Sequence, residues 1–179
     1  MDGIKFGLPP IAPPDARLFI LGSLPGDASL AARRYYAHPT NQFWRLVGQA
    51  IGEPLERLDY DERLLRLAEH RIGLWDVIAS ASRRGSLDQA IRSADHNALD
   101  RLRSDYPHVH VIAFNGTAAS LAGRKLLGGA TDLIVIDLPS SSAANTQPFA
   151  EKAAPWSVLG KYLGQPLAPG ARPFNMGPA

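Results

Sequence analysis

Residues 18–44 read LFILGSLPGDASLAARRYYAHPTNQFW, an apolar run that breaks at Gly22, passes through a loop and re-enters order as a helix. Phe19, Ile20 and Leu21 are too continuously apolar for a half-exposed strand and fit a strand covered on both faces, the centre of a sheet. Pro25, Gly26, Asp27 and Ser29 then set turns through fixed or permissive backbone angles and through side chains that bond nearby amides. The loop carries Tyr35, Tyr36, His38 and Asn41 to a helix expected over 41–52, with Thr40 as its N-cap, Gly52 as its stop and Phe43, Val47 and Ala50 on one face. In an open α/β sheet, ligands bind at the carboxyl ends of central strands. This loop is therefore the first functional candidate.

Working outward, residues 1–14 hold four prolines and form a lead-in whose Leu8 and Ile11 pin it to the core. A helix is expected over 60–70, with Leu64, Leu65, Leu67 and Ala68 as its apolar stripe. RIGLWDVIA at 71–79 is a second strand and its exit, and Ser86 caps a brief helical turn through Ile91. Further elements follow: a helix over 97–106 closed by Pro107, a strand over 108–114, the small-residue helix TAASLAGRKLL, a strand over 132–136 and a closing helix over 152–163. Alternating strands and helices imply a parallel sheet with helices on both faces. The loops beginning at Gly22, Asp76, Asn115 and Leu138 should then line one cleft. Residues 1–164 are expected to form a single domain and 165–179, rich in proline and glycine, a flexible tail.

Composition narrows the chemistry. The chain has no cysteine, which removes thiolate metal sites, thiol nucleophiles and disulfides. No apolar run reaches the roughly 18 residues of a membrane span, and the N-terminus lacks a secretory pattern, so a cytoplasmic protein without membrane contact is expected. Arginine outnumbers lysine by 15 to 4, and its planar fork suits phosphate. That bias is equally what genomic base composition produces. GSLPG at 22–26 lacks the lysine of a P-loop, the spacing of a dinucleotide fingerprint and the serine elbow of an esterase. His108 and His110 share a strand face without a third ligand nearby and are taken as packing or edge residues, leaving no metal site.

GSLPG at 22–26, YYAHPTNQFW at 35–44, FNG at 114–116 and LPSSSAAN at 138–145 together resemble the motifs of the DNA-deoxyinosine glycosylases, a branch of the uracil-DNA glycosylase superfamily. The likeness extends to GLPPI at 7–11, GLWDV at 73–77, RGSLD at 84–88 and Lys152 with Trp156, in order and nearly to Leu163. It implies a three-layer α/β/α sandwich with a central four-stranded parallel sheet. It also implies hydrolytic removal of hypoxanthine from DNA containing the deaminated base, by a monomer needing no cofactor.

Cutting a glycosidic bond places positive charge on the sugar and negative charge on the departing base, so such a site needs a placed water and donors aimed at the base. Asn41 matches the asparagine to which this branch assigns catalysis, and is expected to position the water; the alternative is a plain helix cap. Asn115 is expected to pair with the edge of an extruded base, or else to serve a turn. Tyr36 matches the ring that stacks on that base, with Tyr35 as the alternative. Gly22, Ser23, Leu24 and His38 complete the substrate-binding set, and Asp27 fits a turn as well as a base. Ser140 and Ser142 are expected to meet phosphates, and Arg83, Arg84 and Ser86 on the neighbouring loop either meet the DNA backbone or are simply solvated.

Three departures bear on this resemblance. Ser141 and Ala143 stand where the family's loop has threonine and proline, which would loosen the segment that presses into the duplex. Leu24 stands where the mismatch uracil enzymes carry a catalytic asparagine, and it cannot orient water. No histidine lies between Leu138 and Trp156. The alternatives are a uracil or xanthine glycosylase of the same fold, and a non-catalytic damage-binding or small-nucleotide module.

Overall fold

The structure, a computed structural model, describes residues 3–128 and 132–164 and the backbone of 175–176. In chain order the strands are β1 (Ile4–Phe6), β2 (Ile11–Ala12), β3 (Leu18–Gly22), β4 (Ile72–Asp76), β5 (Ile78–Arg83), β6 (Ile91–His96), β7 (Val111–Asn115), β8 (Ile134–Leu138) and β9 (Asn175–Met176). The helices are α1 (Asp27–Ala32), α2 (Phe43–Ile51), α3 (Tyr60–Glu69), α4 (Leu102–Asp105), α5 (Thr117–Leu127) and α6 (Phe149–Trp156). Apart from β9, the expected tail at 165–179 lies outside the described residues.

Four parallel strands in the order β8-β7-β3-β4 form the centre of the sheet, and antiparallel β2 and β9 extend it beyond β4. β3 is buried along its whole length because both of its faces are covered. Leu18 and Ile20 join a core with Phe43, Leu46 and Val47 of α2, Leu67 of α3 and Trp156 of α6. Phe19 and Leu21 point the other way, into a core with Leu102 of α4 and Ala119 of α5. This is the α/β/α sandwich, and the period of two along β3 builds both of its interfaces. No helix among the described residues is long and apolar enough to cross a membrane.

Several local expectations shift. The helix expected from Asn41 starts at Phe43, with Gln42 rather than Thr40 at its N-cap, and Gly52 stops it at a φ of 75°. The loop after Gly22 contains α1, and the lead-in supplies β1 and β2. The expected turn from Ser86 to Ile91 is a short 3-10 segment, Asp88–Ala90, within a β5–β6 hairpin that pairs with β1 in a separate antiparallel sheet. The helix expected over 97–106 contracts to a 3-10 turn, Leu99–Arg101, followed by α4. β7 starts at Val111, leaving His108 and His110 ahead of it, and β8 runs two residues beyond the expected end. The closing helix begins earlier, at Phe149, and turns 3-10 from Ser157.

Register delivers the site. Gly22 pairs with Asp76, and Asn115 with Leu138, so four strand ends stand abreast at one edge. The sheet also tolerates no bulk at Gly73, where a Cβ would lie 2.6 Å from the Phe19 ring and 2.8 Å from the Ala12 Cβ. Gly73→Ala is expected to lower stability by about 1–3 kcal/mol through overpacking, measured by urea unfolding.

Candidate functional site

At the end of β3, a Cβ on Gly22 would come within 2.6 Å of Asp76 Oδ1 and 3.1 Å of Tyr36 Oη. Glycine is required there because a carboxyl and a phenol converge over it. At the end of β7, Asn115 is almost fully buried and its amide is committed. Nδ2 donates to Ser141 Oγ at 2.8 Å and to Tyr36 Oη at 3.2 Å, while Oδ1 accepts the Ser141 N–H at 2.9 Å. Asn115 therefore serves the site as a clasp on Ser141, a residue singled out in the sequence only as a departure from threonine. The hydroxyl that makes the bond is common to both residue types.

Tyr36 has a left-handed backbone, φ 52°, and its ring lies flat on Phe43 at 3.6 Å between centroids and 9° between planes. Burial, followed by the Asp76 charge, raises its phenol pKa well above the ordinary tyrosine value. Tyr35 points into the core and is bonded through its hydroxyl to the carbonyls of Leu8 and Pro9, which leaves Tyr36 as the ring at the strand ends. Asn41 Oδ1 accepts the Phe43 N–H at 3.0 Å, and its own N–H donates to His38 O. His38 accepts the Thr40 N–H on Nδ1. Tyr36, His38 and Asn41 line a cleft of about 460 Å³ together with Trp44, Arg45 and Arg63.

Beside Asn41, the Gln42 N–H donates to Ser141 O at 3.0 Å. Its side-chain Oε1 accepts from Lys152 Nζ at 3.0 Å. Lys152 is only 1% exposed, and its ammonium also donates to the carbonyls of Asn145 and, at longer range, Ser142. Burial lowers its pKa. Trp156 Nε1 donates to Pro139 O, so α6 holds both ends of the 138–145 loop.

The remaining candidates divide between surface and scaffold. Ser140 and Ser142 are half-buried, and their Oγ atoms accept the N–H groups of Ser142 and Ala144. Ser86 Oγ accepts the Asp27 N–H, which puts Asp27 in a turn tied to the neighbouring loop. Arg84 is exposed. Arg83 is buried instead, its guanidinium donating to the carbonyls of Leu24, Pro25 and Gly85. Leu24 packs with Ile78 and Ala81, and Ser23 Oγ donates to Asp88 Oδ1 at 2.5 Å. No group of metal-ligating residues occurs among the described residues.

Asp76 was missed as a site residue. It is 3% exposed, and its Oδ2 has no hydrogen-bond partner among the described residues. Burial, reinforced by the Asp88 charge and opposed by Arg83, pushes its pKa up to about 8. The signal was present in GLWDV, where a carboxyl closes an otherwise apolar strand.

A carboxyl, a phenol and a clasped amide thus meet at the strand ends of an α/β protein, and the cleft lined by residues 36–42, Trp44, Arg45, Glu56 and Arg63 adjoins them through Tyr36. Residues 9–161 match the family model described as the uracil DNA glycosylase superfamily. The chain is 39% identical to a hypoxanthine DNA glycosylase of Methanosarcina acetivorans, covering 89% of this chain and 99% of the relative. It is 36% identical to a hypoxanthine DNA glycosylase of Methanosarcina barkeri, over 86% and 96% of the two chains. The solution NMR structure of a Methanosarcina acetivorans protein classed with the uracil DNA glycosylases superposes with a TM-score of 0.80 at 38% identity, covering 89% of this chain and 98% of that one. The chain belongs to the uracil DNA glycosylase superfamily.

Asp76 makes stability pH-dependent in a definite sense. Between the ordinary carboxyl value of 3.8 and about 8, the folded protein keeps a proton that the unfolded chain has lost, so stability falls as pH rises through that interval and levels off above it. Asp76→Asn removes this dependence. Thermal melts are expected to show the variant gaining on the wild type from pH 4 to 8, with the difference constant beyond.

Proposed function

We propose that this protein is a monofunctional DNA glycosylase that hydrolyses the N-glycosidic bond of a deaminated base, with hypoxanthine as its principal substrate. The supporting observation is the similarity to two hypoxanthine DNA glycosylases across nearly their whole lengths, the asparagine, tyrosine and loop motifs being placed together in one chain. The protein acts on DNA as a cytoplasmic monomer.

The extruded base stacks on the face of Tyr36 opposite Phe43, an interaction worth ~1–3 kcal/mol per base. The Phe43 N–H holds Asn41 Oδ1 in one orientation, and the second lone pair of that oxygen accepts a hydrogen bond from the attacking water, whose proton is released to the departing base or to solvent. The water is aimed at the sugar carbon as positive charge develops there, and the base departs as an anion stabilised by nearby donors. Leu24 is apolar and buried, so the water-positioning role falls to Asn41 rather than to the first motif. Ser140, Ser142, Ser86 and Arg84 meet phosphate oxygens. The serine oxygens accept from backbone N–H groups, which leaves each hydroxyl proton for DNA. The product is an abasic site, and no cofactor takes part.

Single-turnover assays on a labelled duplex carrying one deoxyinosine, followed by alkali, test this reading. Strand breaks are expected with wild type and a fall of at least ~10³-fold in rate with Asn41→Ala, with DNA binding retained. Cleavage confined to uracil or xanthine duplexes would change the substrate. Binding without product under excess protein would make the protein a damage sensor.

A further inference from the structure

The polar groups at the strand ends differ in how much bonding capacity they have left. Asn115 spends both N–H donors and one lone pair on Ser141 and Tyr36, and Ser23 spends its proton on Asp88. Arg83, the cation whose charge acts on Asp76, donates from its guanidinium to three backbone carbonyls. Asp76 has the most capacity left. Its backbone is locked, the carbonyl accepting from Asn97 Nδ2 at 2.8 Å and the next N–H, that of Val77, donating to Gly22 O at 2.8 Å. The side chain is thus held in place with Oδ2 unpaired among the described residues and Oδ1 over Gly22, where the Tyr36 hydroxyl also arrives. In the proposed complex, a base stacked on Tyr36 opposite Phe43 turns its polar edge toward these atoms.

We propose that Asp76 reads the base edge as a carboxylic acid, its O–H donating to the carbonyl oxygen and its C=O accepting the ring N–H of a lactam, the O6/N1 edge of hypoxanthine. A carboxylic acid and a lactam are matched donor for acceptor in one ring of two hydrogen bonds. As excision proceeds and negative charge grows on the base, the O–H donor strengthens its bond to O6, so the contact contributes more in the transition state than in the bound substrate. A carboxylate presents two acceptors, and the one facing O6 repels it. The charged and titratable groups facing Asp76 are Asp88 and Arg83 by charge and the phenols of Tyr35 and Tyr36. Burial and Asp88 favour the protonated form at neutral pH, against Arg83.

This inference rests on the glycosylase reading, and the test separates the two. Single-turnover excision of deoxyinosine is followed from pH 6 to 10 with wild type, Asp76→Asn, Asp76→Ala and Asp88→Asn, each checked by thermal melting. Wild type is expected to lose activity with a midpoint near pH 8. Asp76→Asn offers the same donor and acceptor without titrating, and is expected to remain within about tenfold of wild type at pH 7, with the alkaline fall displaced upward by at least one pH unit. Asp76→Ala is expected to lose about 100-fold or more at pH 7. Asp88→Asn removes the charge that favours the acid, so its fall moves to lower pH. If Asp76→Asn keeps the wild-type pH profile, or a folded Asp76→Asn is as inactive as Asp76→Ala, the proposal is overturned while the glycosylase reading stands. If wild type leaves deoxyinosine intact at every pH, the substrate reading fails and this inference falls with it.

Discussion

One carboxamide ties the working parts of this molecule together. Asn115 donates to Tyr36, 79 residues away in sequence, and exchanges two hydrogen bonds with Ser141. Ser141 in turn accepts from the Gln42 N–H next to Asn41. Remove the amide, and the Tyr36 loop, the N-terminus of α2 and the 138–145 loop lose their shared anchor. The cost would exceed three ordinary bonds, because the partners are buried and would stay unpaired.

The sheet makes that clasp possible. β3 and β7 are buried along their whole lengths, which gives their register little freedom to slip, and register alone sets Gly22 beside Asp76 and Asn115 beside Leu138. These strands were legible because continuous burial writes itself as a continuous apolar run. The β5–β6 hairpin was not. Its buried positions are filled largely by serine, alanine and arginine, and β6 is mostly exposed, so IASASRRGSLDQAIRSADH carries no clear period. Pairing with β1, far away in sequence, stabilises it instead. The start of α2 was displaced for a related reason. Thr40 has the side chain of an N-cap, but the chain stays irregular until Phe43, where Asn41 Oδ1 takes the free N–H.

Within the site, the motif-bearing residues Tyr36, Asn41, Asn115 and the 138–145 loop were identifiable by type and spacing. The bracing roles of their supports were not, since the worth of a buried charge depends on partners that only the folded chain assembles. Lys152 would ordinarily be a surface residue. Here it is buried with three oxygen acceptors drawn from two separate segments. Arg83 followed the same course: an apparent phosphate ligand in the sequence, it is the internal brace of the turn from Leu24 to Pro25.

Lys152 governs how the start of α2 and the 138–145 loop relate. Lys152 grips Gln42 on one side and the carbonyls of Ser142 and Asn145 on the other, while Trp156 fixes Pro139 behind them. Asn41 precedes Gln42 and is itself pinned to the first turn of α2. The proposed water-positioning amide and the loop proposed to meet DNA are therefore one braced unit. A displacement of the loop large enough to break the Lys152 contacts would strand a buried ammonium, which is far costlier than losing a neutral hydrogen bond. The loop is thus held in position before any ligand arrives, and the ordering of this region is supplied by folding rather than drawn from binding energy.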